Sequence, residues 1–532
     1  MAFPLAALVC GILAAALPGQ ARASTCTQLG SRHFVDTSIA SARDIAAGPY
    51  RVAHKSPLDT KPITLPAFCR VKGVVKAHIG FELWLPEHGW NGRLLALGSG
   101  GFGGFIDDGQ LAAMLAKGYA VTVNDTGHVG QGRVWMRNRV MRRAWGHTAT
   151  HDVIVPVKAM VRAFYQRPPV HSYFQGCSTG GDQAMEEAEF YPDDFDGIVA
   201  GSPGMDYSHL MLSFLWGLKV ATDHAHLSQQ KLQLIHRVVL RQCDAADGVK
   251  DGLLENPLAC DFHPEELLCK GRDKTKCLTP QEVATAEAIY RGPRNPRTGA
   301  VIYPGFVPGS EAAPGFTGAL ANAYGWRMIQ GRLAIGYAIP LLKNMVFGKD
   351  WNWKTFDWDH DVVRVEKAVH ADIDATDPDL RAFRAHDGKL VMIQGWGDPY
   401  NAPTLPITYR ARVIDVFAAN NHGKTRARAI VDGFFRLFMA PGMGHCMGGP
   451  GPSRTEALAA VRAWVEKGKA PARLVAHRFT FPGQAAMPTM SRPLCPYPQV
   501  ARWTGNGSTA EAANFVCASS TARQNDRAGG GR

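Results

Sequence analysis

Gly176-Cys177-Ser178-Thr179-Gly180-Gly181 is the stretch on which the fold assignment turns. It follows Ser172 to Gln175, a short apolar run that reads as a strand, and precedes Asp182 through Phe190, a breaker-poor helical stretch stopped by Pro192. A Gly-x-Ser-x-Gly turn between strand and helix is the setting of a nucleophilic serine. The flanking glycines let the backbone turn without a Cβ clash, and the helix N-terminus adds positive dipole where an oxyanion would develop. In a chain with 56 glycines the five-residue pattern alone is weak, and a Gly-rich turn into a helix is the plain alternative.

Working outward, Ile63 to Ala200 alternates short apolar runs with helical patterns, as expected of a mostly parallel sheet with helices on its faces. Strands are expected at Arg93 to Leu97, Ala120 to Val123, Ser172 to Gln175 and Gly197 to Ala200. The same grammar resumes at Lys389 to Gln394 and Phe435 to Met439, followed by a helix over Thr455 to Lys467. Between the halves the pattern changes: residues 206–386 hold four cysteines, many tryptophans and Pro/Gly-rich segments such as Gly292-Pro293-Arg294-Asn295-Pro296. The expected class is α/β, an α/β-hydrolase core (residues 24–205 and 387–532) interrupted by a large lid domain (206–386) over the carboxyl end of the sheet.

A serine hydroxyl needs a histidine within hydrogen-bond reach and a carboxylate to orient that histidine. Of 19 histidines, His445 stands out because Pro441-Gly442-Met443-Gly444-His445-Cys446 is a flexible loop just after an expected strand. The acid should also follow a strand, and Lys389 to Gln394 runs into Gly395-Trp396-Gly397-Asp398-Pro399. Ser178, Asp398, His445 is the chain order of α/β-hydrolases. Taken singly, an Asp-Pro pair often only starts a turn and a loop histidine is often merely solvated. If serine and histidine touch, Cys177 and Cys446 come near disulfide range. In the chain-entropy model such a bridge across so long a loop contributes about 5 kcal/mol. The oxyanion hole needs the Thr179 amide and one from the loop after an early strand; in Gly98-Ser99-Gly100-Gly101-Phe102-Gly103-Gly104 the favoured donor is Gly101.

The chain of 532 residues, 46% hydrophobic and 20% charged, is long enough for one large catalytic unit plus an insertion. Leu5 through Leu17 is apolar, and Ala21-Arg22-Ala23 suits signal peptidase, so residues 1–23 read as a signal peptide and the protein as secreted or periplasmic. No later run is long enough to span a bilayer. Of 11 cysteines, Cys10 lies in the leader and the other ten form an even set, which suggests disulfides in an exported chain. Cys243 with Cys260, Cys269 with Cys277, and Cys495 with Cys517 are each close enough to close a local loop. Absence of any C-x-x-C pair disfavours zinc. The net charge of +12 comes from scattered basic residues, and the densest patch (Arg137, Arg139, Arg142, Arg143) lacks interleaved aromatics, so no nucleic-acid partner is expected.

Gly176-Cys177-Ser178, Gly-Trp-Gly-Asp398-Pro and Gly-His445-Cys446 together resemble the Cys-Ser, Asp, His-Cys signature of the tannase and feruloyl esterase family. The resemblance extends to Phe195-Asp196-Gly197-Ile198-Val199-Ala200-Gly201 and to Arg492-Pro493-Leu494-Cys495-Pro496-Tyr497-Pro498, the latter also similar to the family's terephthalate ester hydrolase. It implies an α/β-hydrolase core, a large lid, and hydrolysis of esters of aromatic carboxylic acids. It also implies the Cys177–Cys446 bridge and the pairs Cys26–Cys69, Cys243–Cys260, Cys269–Cys277 and Cys495–Cys517. The small-molecule substrate expected is a phenolic or cinnamic ester, with a terephthalate monoester, or a catalytically silent binding protein, as alternatives.

Cys243-Asp244-Ala245-Ala246-Asp247-Gly248-Val249-Lys250-Asp251-Gly252-Leu253 sets three carboxylates in a Gly-containing loop. Its chemistry alone suits either calcium or a plain acidic turn, and its spacing is not that of an EF-hand. The resemblance implies a structural calcium ion held by Asp244, Asp247 and Asp251 side chains and Val249 and Leu253 carbonyls. Family members that act on terephthalate use a lid arginine, which Gly325-Trp326-Arg327 resembles; Arg327 reads equally as structural. Asn401, three residues beyond the acid, stands where the terephthalate ester hydrolase has an aromatic residue. Thr179 follows the nucleophile as in feruloyl esterases. Both departures favour a phenolic or cinnamic ester.

Overall fold

The computed structural model describes residues 25–52, 63–130, 132–312, 325–419, 423–479 and 488–519, so the expected signal peptide lies outside the described residues. Nine strands form the central sheet: β1 (Thr37–Ile45), β2 (Phe68–Val75), β3 (Ile79–Pro86), β4 (Arg93–Leu97), β5 (Ala120–Asn124), β6 (His171–Cys177), β7 (Gly197–Gly201), β8 (Lys389–Gly395) and β9 (Phe435–Ala440). Their spatial order is β1-β2-β3-β5-β4-β6-β7-β8-β9. From β5 to β9 every pairing is parallel, whereas β1, β2, β3 and β5 pair antiparallel. The sheet is therefore mixed rather than mostly parallel over residues 63–200. Tight connections such as that from Val75 to Ile79 leave no room for a crossover helix, so adjacent strands must reverse direction.

The parallel strands are buried almost throughout; Lys389–Gly395 is buried at every position, as expected of a strand covered on both faces. Flanking helices include α1 (Asp108–Leu115), α2 (Ala149–Tyr165) and α3 (Thr179–Phe190), the last directly after β6. Between β7 and β8 the chain leaves the sheet and builds α4 (Tyr207–Asp223), α5 (Gln229–Cys243), α6 (Pro280–Arg291) and α7 (Asp361–Ile373). One apolar cluster is internal to this excursion, with Leu232, Ile235, Ala286, Ile289 and Trp326 fully or nearly fully buried. Another joins it to the core, packing Phe102, Trp135 and Trp145 against Leu212, Leu215, Leu341 and Val365. The chain then returns through α8 (Leu405–Ala419) and α9 (Ala457–Lys467). The last helix starts two residues later than expected, because Arg454–Thr455 pairs with Leu474–Arg478 as a short strand.

All five disulfides pair as expected: Cys26–Cys69, Cys177–Cys446, Cys243–Cys260, Cys269–Cys277 and Cys495–Cys517. No helix among the described residues is long and apolar enough to cross a membrane. Six parallel strands with the β5-β4-β6 order, covered by helices and interrupted between β7 and β8, make the fold an α/β-hydrolase.

Candidate active site

Ser178 occupies the turn between β6 and α3 with φ 63° and ψ −122°, a backbone conformation that costs a non-glycine residue on the order of 1–3 kcal/mol. The surroundings hold it there: its N–H donates to the Gly201 carbonyl at 3.0 Å, and its own carbonyl accepts from Asp182 at 3.0 Å. Glycine is required where the turn meets the neighbouring strand. A Cβ on Gly176 would lie 2.2 Å from the Gly180 carbonyl oxygen, and one on Gly98 would lie 2.6 Å from the Gly180 Cα. The elbow and the glycine-rich loop after β4 are thus packed backbone to backbone.

Three separate loops bring their polar side chains together. His445 Nε2 lies 2.8 Å from Ser178 Oγ, and His445 Nδ1 lies 3.0 and 3.1 Å from the two oxygens of Asp398. Asp398 is fully buried, and His445 is 12% exposed. The carboxylate accepts further bonds from the Tyr400 N–H at 2.8 Å, the Asn401 N–H at 3.1 Å and the Gln394 side-chain amide at 3.1 Å. These donors fix the orientation of the carboxylate toward the imidazole. A proton passing from Ser178 to His445 would leave an imidazolium facing that fixed negative charge.

The Cys177–Cys446 bridge spans 6.0 Å between Cα atoms and links the residues next to the serine and the histidine. The Gly101 carbonyl accepts from the Thr179 hydroxyl at 2.7 Å, which ties the glycine-rich loop to the first turn of α3. Gln183 on α3 accepts from the Ser99 N–H at 2.9 Å, reinforcing that tie. Gly101 itself has φ +58°, and a Cβ there would meet the Tyr337 hydroxyl at 3.2 Å.

Aromatic residues that the sequence did not single out line this region. Tyr400 stacks on His445 with centroids 4.4 Å apart. Phe214 on α4 meets both Tyr400 and Tyr337 edge-on, and Tyr337 also lies 5.0 Å from Phe102. Spacing carried no hint of them, because they converge from four segments far apart in the chain. Behind the serine, Asp182, Glu186 and Glu187 on α3 are almost wholly buried, and burial drives all three carboxyls well above their ordinary range.

Arg327 and Asn401, the two residues expected near the substrate, sit in different surroundings. Arg327 is half-buried beside Trp326, whose indole donates to Ser310 within the excursion, and no hydrogen bond or ion pair among the described residues links Arg327 to the triad. Asn401, expected as a substrate contact, is 3% exposed, and its side-chain amide donates to the Ser202 carbonyl at 2.6 Å. Its burial behind Asp398 was invisible to counting along the chain.

The acidic loop lies beside the catalytic loops. Asp244 accepts from the Gly252 N–H at 3.1 Å, Asp247 from Val249 at 2.9 Å and Asp251 from Leu253 at 3.2 Å. Asp251 also pairs with Arg492, which is 1% exposed. Burial, with the charge of Asp251 adding to it, pushes Asp247 up to about 6, and burial raises Asp244 as well. Three partly buried carboxylates in one turn are the hard-oxygen chemistry that a calcium ion would take. Their oxygens are less tightly gathered than in a closed ligand shell: among the described residues, only Cys26, Asp44 and Cys69 offer three ligand atoms within 4.8 Å, and that sulfur pair is a disulfide.

Fold and site define a class: an α/β-hydrolase with serine, histidine and carboxylate in series at the carboxyl end of its sheet. Comparison with known proteins narrows this. A family model described as tannase and feruloyl esterase matches residues 64–518. An uncharacterized esterase of Xanthomonas campestris pv. campestris is 37% identical, covering 96% of this chain and 93% of its own length. The mono(2-hydroxyethyl) terephthalate hydrolase of Piscinibacter sakaiensis is 30% identical, covering 92% and 90%. The crystal structure of feruloyl esterase B from Aspergillus oryzae superposes with a TM-score of 0.80 at 26% identity, over 93% of this chain and all of that one (100%). The chain belongs to the tannase and feruloyl esterase family and is a carboxylic ester hydrolase.

Proposed function

We propose that the protein is an exported serine esterase that cleaves esters of phenolic or cinnamic acids, with Ser178 as nucleophile, His445 as general base and acid, and Asp398 as its orienting partner. The observation that carries this is the unbroken series Ser178 Oγ, His445 Nε2, His445 Nδ1, Asp398, with contacts of 2.8 and 3.0 Å. His445 takes the serine proton as Oγ attacks the ester carbonyl, and the Gly101 and Thr179 amides receive the oxyanion. Collapse expels the alcohol, protonated by His445, and leaves an acyl-enzyme. Water, deprotonated by the same histidine, releases the aromatic acid and regenerates the serine. The rings of Tyr337, Phe214 and Tyr400 offer faces and edges to an aromatic acyl group.

Residues 206–386 act as the lid in this proposal, and the five disulfides support maturation in an oxidising compartment. Asp244, Asp247 and Asp251 with the Val249 and Leu253 carbonyls would hold calcium. The ion would supply positive charge that fixes the loop and would take no part in bond making.

The similarity to a terephthalate monoester hydrolase favours a second substrate class. Against it stand Thr179 after the nucleophile and the enclosed setting of Asn401. A fluorophosphonate probe should label Ser178, and Ser178→Ala should lose labelling and at least about 10³-fold in kcat. Full ester turnover by Ser178→Ala would end the proposal. A panel of feruloyl, chlorogenoyl, galloyl and terephthaloyl esters then ranks the substrates.

A further inference from the structure

The two loops that carry Asp398 and His445 are stitched to one another and rest together on the acidic loop. The Trp396 N–H donates to the Ala440 carbonyl at 2.9 Å and the Gly397 N–H to the Met443 carbonyl at 2.9 Å. A Cβ on Gly395 would strike the Met443 carbonyl oxygen at 2.3 Å, so the loops touch through their backbones. On the other side, the Trp396 indole N–H donates to the main-chain carbonyl of Glu255 at 3.2 Å, across 141 residues of sequence. The Leu253 side chain lies so close to Gly442 that a Cβ there would sit 2.7 Å from its Cδ2. Leu253, Trp396, Gly397 and Gly442, with His236, line a small cavity where the three loops meet.

Resting on the Ser178–His445–Asp398 assignment, we propose that Trp396 is a positioning residue, a strut whose indole N–H transmits the order of residues 252–255 to the Asp398–His445 pair. Asp398 follows Trp396 by two residues, and His445 follows Gly442 by three, so a shift of the acidic loop moves both ends of the relay at once. Misplacement of about 1 Å in such a relay is costly to rate while leaving substrate affinity nearly unchanged. Trp396 is 3% exposed, so its ring is held by packing and the N–H is directed by the fold.

Trp396→Phe keeps the ring and removes only the donor. We expect kcat to fall about tenfold with KM within about twofold, and the downfield Nδ1–H proton resonance of His445 in the substrate-free enzyme to broaden or move. Leu253→Ala, which acts on the opposite contact, should move the same resonance in the same direction. An unchanged kcat and resonance in Trp396→Phe would overturn the proposal. So would a loss of activity that merely follows the unfolded fraction while the folded fraction keeps the wild-type resonance. The resonance is read without substrate, so it stands apart from failure of the esterase assignment, which the fluorophosphonate probe on Ser178 reports.

Discussion

The side-chain amide of Asn401 donates to the main-chain carbonyl of Ser202 at 2.6 Å, joining the loop after β8 to the end of β7. Ser202 Oγ accepts in turn from the Cys446 N–H at 3.4 Å, beside His445. Both residues are buried, at 3% and 0% exposure. One amide thereby connects the acid loop, the strand next to the nucleophile and the histidine loop.

Asn401→Ala leaves the buried Ser202 carbonyl without that donor, which should cost about 1–3 kcal/mol of stability. Because Asn401 sits behind Asp398, kcat should fall while KM stays within about twofold. Steady-state kinetics beside chemical denaturation measure both; a large rise in KM with intact stability would instead return Asn401 to the substrate.

Replacing Cys177 and Cys446 together by alanine removes the tie between nucleophile and base loops. The expected loss is about 2–5 kcal/mol in equilibrium unfolding, with kcat lowered even at temperatures where the variant is fully folded. Equal kcat in the folded variant would show that packing alone keeps the loops in register.

If the acidic loop holds calcium, chelation should lower the melting temperature and added calcium should restore it. A ligand at a hundred times its Kd stabilises by about 2.7 kcal/mol. Asp247→Asn should melt near the chelated wild type and respond weakly to the ion, as calorimetry would reveal. A wild type indifferent to chelator counts against the site.

Burial pushes Glu189, at the end of α3, up to about 8 from its ordinary 4.5. Between those values the unfolded chain has released this proton and the folded chain retains it, so stability falls as pH rises through that window. The slope per such group reaches about 1.4 kcal/mol per pH unit. The contribution is full below about pH 4.5 and gone above about pH 8. Glu189→Gln should flatten the decline in denaturation curves taken from pH 5 to pH 8; an unchanged slope would assign the decline to other groups.

Much of the scaffold was legible because it is local. Strand β4 falls at the expected Arg93–Leu97, and β5 through β9 begin or end within a residue or two of expectation, since buried parallel strands read as short apolar runs. Ser178, Asp398 and His445 meet because each follows its own strand at the same end of the sheet. The antiparallel strands β1 to β3 were not distinguished, because direction depends on connections rather than on the runs themselves. Tyr337, Phe214, Tyr400 and Trp396 owe their places to contacts between distant segments, and no periodicity encodes those. Asn401 was legible as a position but not in orientation, for a side chain three residues past a carboxylate can face either way.

The bridge from Cys177 to Cys446 joins positions 269 residues apart, and the whole excursion between β7 and β8 lies inside the ring it closes. A protease that cuts once anywhere in that ring therefore releases nothing: both pieces stay covalently joined, with the serine on one and the histidine on the other. Such a nicked molecule would migrate as a single intact band until reduced, and it could keep its nucleophile and base side by side after its main chain had been severed.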